Sequence, residues 1–430
     1  MKRVTKTFPI ENPLYLKKQL LRWGQSFQEV VFLDHNENQP NETSFDFLLA
    51  VDAFTVVQTD FEGAFEALKQ YQMAMKDWLF GYLTYDLKND IENLQSKNRD
   101  GLGFHDLFFF QPKKIFIANG NEIVCHYLAM CDDEIESDWL EILSQNKHDE
   151  MKSSVGMVPQ PRLSKTEYLE KVTNILAHIQ RGDIYEVNFC MEFFAEQVKI
   201  NPEQIYQHLN AISSAPFATF FKNKHHFALC ASPERYIKKS GQRLVSQPIK
   251  GTSKRFADPI LDAQSKADLQ NSAKERAENI MIVDLVRNDL SKTAEPNSVQ
   301  VEELCAIYGF KQVFQKISTI VSVMRPEFTA VDALQTTFPM GSMTGAPKIS
   351  AMQIIEANEA TKRGLYSGCI GYFTPQNDFD FNVVIRSILY NESNQYVSFS
   401  VGSAITNQAI PENEYEECLL KAKAMFEVLA

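Results

Sequence analysis

Residues 231–254, ASPERYIKKSGQRLVSQPIKGTSK, have the pattern of a β-hairpin, and they set the architecture expected for the chain. We predict that an apolar strand at residues 227–230 pairs antiparallel with a second strand at residues 243–246 across a turn near Gly241. That pairing would bring Glu234 and Lys250 to the same end of the hairpin. Because strands and helices alternate from there onward, we predict one large α+β domain over residues 160–430.

This end of the hairpin is a candidate catalytic site. A carboxylate beside an amine can tune both groups for work as an acid, a base or a nucleophile. Glu234 and Lys250 would equally form an ordinary surface ion pair, and their spacing alone favours that simpler interpretation.

An acidic helix start follows in residues 271–289, NSAKERAENIMIVDLVRND. Glu275 and Glu278 are three residues apart, so they share one helix face and repel each other unless a cation lies between them. Mg²⁺ binds hard oxygen ligands, often one or two carboxylates together with oxygens of a substrate. A solvated acidic turn explains the same pattern, and this segment alone does not decide between the two.

The last helix, predicted over residues 411–429, repeats this spacing. Glu414, Glu417 and Lys421 lie at positions i, i+3 and i+7, so they share a face. Two helices could then each give a glutamate to a single metal ion, while Lys421 meets a substrate carboxylate. Taken alone, the segment is an ordinary charged helix face.

Three further segments favour the binding of a small anion. Backbone amides of residues 338–348, FPMGSMTGAPK, can hold an oxyanion ahead of a helix, although the loop lacks the ending of a P-loop. Gly402 and Ser403 lie at a strand end where a ligand can approach the backbone. Arg386 lies inside a predicted apolar strand, and a buried guanidinium needs an anionic partner. Together these residues predict a Mg²⁺-dependent enzyme for a small carboxylate substrate.

The composition excludes several other classes of protein. The 430 residues include 43 basic and 55 acidic side chains, and the net charge of −12 argues against nucleic-acid binding. No run approaches the ~18 apolar residues of a membrane span, and no signal peptide is visible, so we expect a cytoplasmic protein. The seven cysteines form no C-x-x-C pair, which argues against zinc and disulfides. Residues 367–371, SGCIG, match a nucleophile elbow only in part, so we expect no glutaminase in the chain.

A polar segment at residues 144–161 is the predicted linker of the chain. It separates a mixed α/β region, residues 1–155, from the predicted catalytic domain, residues 160–430. The catalytic part begins with a helix, because Ser164 and Glu167 have the spacing of a capping box.

Seven segments, in this order, resemble the chorismate-utilising enzymes. They are GDIYEVNFC (182–190), ASPER (231–235), PIKGT (248–252), ENIMIVDLVRNDL (278–290), GSMTGAPK (341–348), RGLYSGCIGYF (363–373) and EYEECLLKAKA (414–424). The resemblance is weaker in the first half, where GYLTYDL (81–87) matches. The family includes component I of anthranilate synthase and of aminodeoxychorismate synthase, and the isochorismate and salicylate synthases.

Lys250 separates the branches of this family. Anthranilate synthases resemble one another in having alanine there, whereas aminodeoxychorismate synthases have a lysine regarded as a covalent nucleophile. Isochorismate and salicylate synthases also have a lysine, which is thought to activate water. The segments around Lys250 are closer to the aminodeoxychorismate branch, so the resemblance implies component I of that enzyme. Anthranilate synthase component I, an isochorismate or salicylate synthase, and an inactive regulatory member are the alternatives.

The resemblance also implies a role for each acidic candidate on the two helices. Chorismate would bind Mg²⁺ through its ring carboxylate, with Glu278 and Glu417 as direct or water-bridged ligands. Glu275 and Glu414 would lie behind them. Without the cation, four glutamates would repel the substrate dianion.

Six residues would contact the substrate itself by the same resemblance. Arg386 and Tyr366 would bind the enolpyruvyl carboxylate. Gly402 and Ser403 would offer backbone amides nearby. Thr344 and Lys421 would lie beside the ring.

The chemistry implied by the resemblance starts at the hairpin. Lys250 would attack ring carbon two while the hydroxyl on carbon four leaves, with Glu234 as its general acid. Ammonia would enter at carbon four and expel the lysine, giving 4-amino-4-deoxychorismate, the precursor of p-aminobenzoate and folate. An amine with the ordinary pKa of ~10.4 is protonated at neutral pH, so this role requires burial to lower the pKa of Lys250.

The fold implied is of the α+β class, with antiparallel sheets packed face to face and flanking helices, as in anthranilate synthase component I. The N-terminal half interleaves with the catalytic half in that fold, so residues 144–161 need not separate independent domains. A separate glutaminase subunit would supply the ammonia, which implies a heteromer. One departure is Gln315, where the family usually has a histidine linked to aromatising chemistry; its absence favours a non-aromatising enzyme.

Overall fold

The computed structural model describes residues 2–36, 43–145, 156–311 and 313–430. Most of the predicted linker, residues 146–155, lies outside the described residues. The division into residues 1–155 and 160–430 therefore stays a prediction. None of the helices in the described part of the chain is both long enough and apolar enough to cross a lipid bilayer.

Strands alternate with helices along the whole described chain. The strands are β1 (Arg3–Pro9), β2 (Glu29–Asp34), β3 (Phe47–Thr59), β4 (Leu79–Leu83), β5 (Leu107–Asn119), β6 (Glu122–Leu128), β7 (Gln160–Pro161), β8 (Glu186–Ala195), β9 (Phe217–Asn223), β10 (His226–Ser232), β11 (Arg235–Ser240), β12 (Arg243–Gln247), β13 (Ile249–Lys254), β14 (Gln300–Gly309), β15 (Val313–Val323), β16 (Gly345–Ala346), β17 (Cys369–Phe373), β18 (Phe379–Asn382), β19 (Ser387–Asn391) and β20 (Tyr396–Thr406). The helices are α1 (Pro13–Gly24), α2 (Ala64–Met75), α3 (Lys88–Ile91), α4 (Ile135–Ser144), α5 (Lys165–Arg181), α6 (Pro202–Ser213), α7 (Pro259–Asn271), α8 (Ala273–Ser291), α9 (Ala330–Thr337), α10 (Lys348–Asn358) and α11 (Pro411–Leu429).

The strands form two antiparallel sheets that share the long strands β3 and β5. The first sheet runs in the order β8, β20, β19, β10, β9, β2, β3, β5, β6, β1. The second continues from β5 through β4, β17, β18, β11, β12 and β15 to β13 and β14. Every pair between these strands is antiparallel, as the sequence predicted.

Alternating side chains of the first sheet enter two different cores. In β2, Val30 and Phe32 pack with the helices that cover the outer face. Val31 and Leu33 pack instead against the second sheet. This alternation follows from the two-residue period of a strand. The antiparallel sheets packed face to face with flanking helices confirm the predicted α+β fold.

Two strands of the first 155 residues pair directly with strands of the remaining chain. β2 pairs with β9 along its whole length, and β4 pairs with β17. Gly81 lies opposite Gly371 in the second of these ladders. Strands from both parts of the chain therefore build each sheet.

Two helices that begin or end near the site match their sequence signals. Ser164 and Glu167 form the predicted capping box at the start of α5. The last helix, α11, spans Pro411–Leu429, which are the limits predicted from its sequence. Local capping and spacing were sufficient for both predictions.

Candidate active site

The end of the β11–β12 hairpin forms the floor of the site. Arg235 pairs with Gln247 across the hairpin, which places Glu234 and Lys250 at the same end, as predicted. The first strand of this hairpin is β11 and not the predicted residues 227–230, because β10 pairs with β9 and β19 instead. Glu234 is 4% exposed and Lys250 is 9% exposed. The simpler interpretation, a surface ion pair, is therefore wrong.

Lys250 makes its ion pair with a residue that the sequence analysis did not select. Its Nζ lies 2.6 Å from Oε1 of Glu186 on the first residue of β8. Burial acts to lower the pKa of Lys250, but the negative charges of Glu186, Glu278 and Glu234 raise it above its ordinary value. The lowered pKa expected from burial is thus wrong for this state of the site, because three carboxylates outweigh desolvation.

Glu186 itself is a buried carboxylate with one unused oxygen. The residue is 1% exposed, and among the described residues its Oε2 has no hydrogen-bond donor. The sequence did contain a signal, because a glutamate within the apolar run of GDIYEVNFC needs a cation when that strand is buried.

Glu234 can exchange a proton near neutral pH. Burial raises its pKa to about 7, and the Ser342 side chain and the Lys250 charge offset part of this rise. Ser342 belongs to the GSMTGAPK loop, so this loop closes over the hairpin end. A carboxyl group in this range can donate or accept a proton during a reaction.

Lys274 lies between the acidic faces of α8 and α11 and contacts one glutamate of each helix. Its Nζ lies 3.8 Å from Glu278 Oε1 and 3.6 Å from Glu414 Oε1. Burial acts to lower the pKa of Lys274, but the charges of Glu414, Glu278, Glu417 and Glu275 raise it. The two helices therefore bring their acidic faces together, as their matching spacing indicated.

The acidic cluster offers oxygens that suit a hard cation. Glu278 Oε1 and Glu414 Oε2 are buried, and neither has a hydrogen-bond donor among the described residues. Burial raises the pKa of Glu278 to about 7 and, together with Glu417, raises that of Glu414. No three potential ligand groups of the described chain are gathered around one point. The donor set, carboxylate oxygens from two facing helices, nevertheless fits Mg²⁺ chemically.

Arg386 does not lie in a strand, so that part of its prediction is wrong. It occupies a left-handed bend with φ of 52°, between β18 and β19. Val383 still donates its amide to the backbone carbonyl of Glu234, but Val384 donates to the backbone carbonyl of Gly368, so the chain turns away from β11 there. The Arg386 guanidinium makes no hydrogen bond or ion pair with any described residue. Burial lowers its pKa, with Tyr366 and Glu417 acting in the opposite direction.

Gly402 and Ser403 lie on β20, where a ligand can come close to the backbone. Gly402 pairs with Cys190 of β8, and a Cβ at Gly402 would lie 2.6 Å from both Asn188 Oδ1 and Cys190 Sγ. Cys190 in turn donates its thiol to the Tyr366 hydroxyl at 3.7 Å. Tyr366 and Gly402 thus share one wall of the site, and only glycine fits at position 402.

The remaining two candidates are engaged with protein atoms. Lys421 donates to the Gly402 carbonyl at 2.8 Å and pairs with Glu417 at 2.6 Å. The Thr344 hydroxyl donates within its own loop, to Met340 and Gly341 carbonyls at 3.3 and 3.2 Å. Lys421 therefore joins the acidic cluster to β20, whereas Thr344 contacts the site through its loop.

A buried ion pair that the sequence analysis missed ties these elements together. Arg363 donates to the carbonyls of Met343 at 2.6 Å and Asn188 at 2.7 Å, and also to Glu359. Glu359 accepts the Cys190 amide at 2.9 Å. The pair lies in RGLYSGCIGYF and just before it, and its partners are too distant in sequence for spacing to reveal them.

Comparison with known proteins is consistent with this arrangement. Residues 17–427 match the family described as chorismate binding enzyme. The chain is 34% identical to an anthranilate synthase component I-like protein of Synechocystis sp., with 82% of this chain and 72% of that protein covered. It is 32% identical to aminodeoxychorismate synthase component 1 of Bacillus subtilis, with 80% and 75% covered. The crystal structure of anthranilate synthase component I from Streptococcus pneumoniae TIGR4 superposes with a TM-score of 0.78 at 25% identity, covering 90% of this chain and 93% of that one.

Proposed function

The chain belongs to the chorismate binding enzymes, and within that family we propose that it is an aminodeoxychorismate synthase component I. The observation that carries the proposal is Lys250, a buried amine held at the hairpin end between carboxylates. Anthranilate synthases resemble one another in having alanine at this position. The similarity to the Bacillus subtilis aminodeoxychorismate synthase supports the same branch.

Chorismate would be held by its two carboxylates. The guanidinium of Arg386 and the hydroxyl of Tyr366 would bind the enolpyruvyl carboxylate, with amides near Gly402 and Ser403. An arginine that has no side-chain partner among the described residues, half-buried beside the glycine wall, is suited to binding a carboxylate through two hydrogen bonds.

The ring carboxylate would bind near the acidic cluster, with Thr344 and Lys421 on the ring side. Glu278 and Glu417 would hold Mg²⁺, with Glu275 and Glu414 behind them. The ion would supply charge neutralisation and a template for the ring carboxylate. The buried oxygens of Glu278 and Glu414, which lack hydrogen-bond donors among the described residues, support a cation between the two helices.

The covalent step would begin after Lys250 loses a proton. Its Nζ attacks ring carbon two, the ring double bonds shift, and the hydroxyl on carbon four leaves as water with the proton of Glu234. Ammonia then bonds to carbon four while the bond between Lys250 and carbon two breaks. The product is 4-amino-4-deoxychorismate, the precursor of p-aminobenzoate and folate. Glu234 suits the acid role because burial raises its pKa to about 7.

Ammonia would come from a separate glutaminase subunit in a heteromer working in the cytoplasm. This follows from the family resemblance and from the incomplete nucleophile elbow at residues 367–371. The partner subunit, and not this chain, would hydrolyse glutamine to release the ammonia. We propose no role for nucleic acid or a membrane.

Product identification tests the proposal. The purified protein is incubated with chorismate, Mg²⁺ and an ammonium salt, with and without added aminodeoxychorismate lyase, and the products are separated by liquid chromatography. We expect an aminochorismate peak that becomes p-aminobenzoate only with the lyase. Anthranilate, the product of the second candidate function, which the Synechocystis relative at 34% identity favours, would refute the branch. Isochorismate or salicylate would also refute it, and no consumption of chorismate would indicate an inactive member.

A further inference from the structure

Glu186 is the direct partner of the proposed nucleophile, and its position is fixed by backbone pairing on both sides. It begins β8, where it pairs with Ala346 of β16 and with Thr406 of β20. Its Oε1 lies 2.6 Å from Nζ of Lys250. A carboxylate held between two neighbouring strands at this distance is ready to exchange a proton with the amine.

The second carboxylate oxygen of Glu186 needs a hydrogen-bond donor that the described residues do not supply. Oε2 is buried and has no hydrogen-bond partner in the described part of the chain, although buried carboxylate oxygens are ordinarily satisfied. The nearby cations are otherwise engaged, because Lys274 contacts Glu278 and Glu414, and Lys421 contacts Glu417 and the Gly402 carbonyl. A small N–H donor arriving beside Lys250 would satisfy this oxygen.

We propose that Glu186 is a catalytic residue that exchanges a proton with Lys250 and binds the incoming ammonia. Its Oε1 accepts the proton that Lys250 must lose before attack, and its Oε2 accepts a hydrogen bond from the incoming ammonia. The inference rests on the function proposed above, and it adds a binding point for the second, nitrogen substrate.

The protons balance through one turnover. Lys250 ammonium gives a proton to Glu186, and the neutral amine forms its bond to carbon two as water leaves with the proton of Glu234. Ammonia bonds to carbon four, and Lys250 departs from carbon two as a neutral amine. Glu186 then returns its proton to Lys250, and the new ammonium group on carbon four gives one proton to Glu234. Chorismate and ammonia become aminodeoxychorismate and water, and every side chain is restored.

The other carboxylates near Lys250 are less suited to this work. Glu234 has to carry a proton at the start to release the hydroxyl, so it cannot accept the one from Lys250. Glu278 points Oε1 toward Lys274 at 3.8 Å and belongs to the proposed cation cluster. Glu186 is the carboxylate that makes the hydrogen bond to Lys250.

The test compares Glu186→Gln with a matched change on the same strand. Glu192→Gln removes another buried β8 carboxylate, one paired with Arg162 and Tyr396 away from Lys250. For Glu186→Gln we expect turnover to fall about 100- to 1,000-fold, the scale of one acid–base group. We also expect a higher KM for ammonium, a slower appearance of the Lys250–substrate adduct in quenched intact-mass spectra, and chorismate binding close to wild type. Glu192→Gln should keep wild-type turnover.

A conservative replacement separates the need for a carboxylate at position 186 from the need for a side chain of the size of glutamate. Glu186→Asp keeps the carboxylate and should retain more turnover than the better-shaped Glu186→Gln, whereas the reverse order would overturn the role of Glu186. If Glu186→Gln does not fold, Glu186→Ala with added formate replaces it. Recovery of turnover with formate supports the inference, and no recovery contradicts it. Wild-type protein that makes no aminodeoxychorismate would refute the proposed function instead. Undiminished turnover of Glu186→Gln in an enzyme whose wild type is active would refute only the proposed role of Glu186.

Discussion

Around Lys250, neighbouring groups hold their protons for opposite reasons. Burial keeps Glu234 protonated up to about pH 7, because the charged form loses its hydration. Lys250 keeps its proton because the charges of three carboxylates outweigh burial and raise its pKa. The resting site therefore holds a protonated acid and a protonated amine, and substrate binding has to be coupled to removal of the amine's proton.

Replacing Lys250 with alanine should strongly reduce turnover but leave substrate binding largely intact. We expect kcat to fall at least about 100-fold, the scale of one group engaged in bond making and proton transfer. Chorismate binding, measured by calorimetry with Mg²⁺, should largely survive because Arg386 and the acidic cluster are untouched. Lys239→Ala is the matched control, since Lys239 is also buried but donates to the Asn377 carbonyl. Wild-type turnover of Lys250→Ala would rule out the covalent role.

The pH dependence of turnover should show the titration of Glu234. Its pKa in the folded protein is raised to about 7 from the usual 4.5, so the general acid is protonated below pH 7 and loses its proton as the pH rises through that value. We expect kcat to decline above pH 7 with one proton lost. Glu234→Gln should be slow at all pH values and lack this decline. A decline that persists in Glu234→Gln at the same pH would assign the titration to another group.

The elements that line the site are held together by the Arg363–Glu359 pair rather than by one continuous ladder. Arg363 joins the loop at Met343 to β8 at Asn188. Glu359 fixes the Cys190 amide of the same strand. Tyr366 follows Arg363 in the chain and Gly402 pairs with Cys190, so the ion pair joins the two walls of the proposed chorismate site.

Removing one partner of this pair should destabilise the protein strongly, because the other charged side chain then stays buried without its partner. Arg363→Met leaves Glu359 charged and buried, which costs about 3–5 kcal/mol in the free energy of unfolding. In the double variant with Glu359→Gln the cost should be less than the sum of the single changes, as measured by urea unfolding in a double-mutant cycle.

An exposed ion pair gives the comparison for this cycle. Arg243 and Glu302 form a two-point contact, with side chains 39% and 41% exposed. Arg243→Met should cost only about 0.2–1 kcal/mol. Equal losses for Arg363→Met and Arg243→Met would show that burial of the Arg363 pair adds nothing to stability.

Across the whole molecule, the first 155 residues and the remaining chain fold as partners. β2 and β4 complete sheets whose other strands come from later in the chain. The two cores each include residues from both parts. Such sharing favours one cooperative unfolding transition over two.

A substitution on β4, which pairs with β17 of the remaining chain, should lower the stability of both parts of the chain together. A Cβ at Gly81 would lie 2.0 Å from the Phe108 carbonyl oxygen and 2.7 Å from the Phe109 Cα, and backbone cannot move aside cheaply. We expect Gly81→Ala to lower the free energy of unfolding by about 1–3 kcal/mol while keeping a single transition by fluorescence and circular dichroism. Gly309→Ala is the control, because a Cβ there would meet only the side chains of Arg255 and Phe314, each at 3.4 Å. Two separate transitions in Gly81→Ala would show that the parts fold independently.

Sequence reasoning succeeded where the cause was local and failed where it was not. The capping box at Ser164 and the paired ends of the hairpin follow from spacing and turn chemistry. Arg386 was placed in a strand because the apolar run does not show that the chain turns away from β11 at Val384. The contact between Glu186 and Lys250 joins residues 64 positions apart, so the apolar run around Glu186 indicates that it needs a cation but not which residue supplies it. The direction of the Lys250 pKa depends on a sum of buried charges that only the folded chain assembles.

The pairing of β4 with β17 also bears on how the protein is made. These strands are separated by about 290 residues, which at roughly 5–20 residues per second keeps the ribosome occupied for about 15–60 s. During that interval the apolar strand LFGYL has only part of its final sheet and offers an unpaired edge. The growing chain should therefore be a client of ribosome-associated chaperones, and its yield should fall when they are depleted.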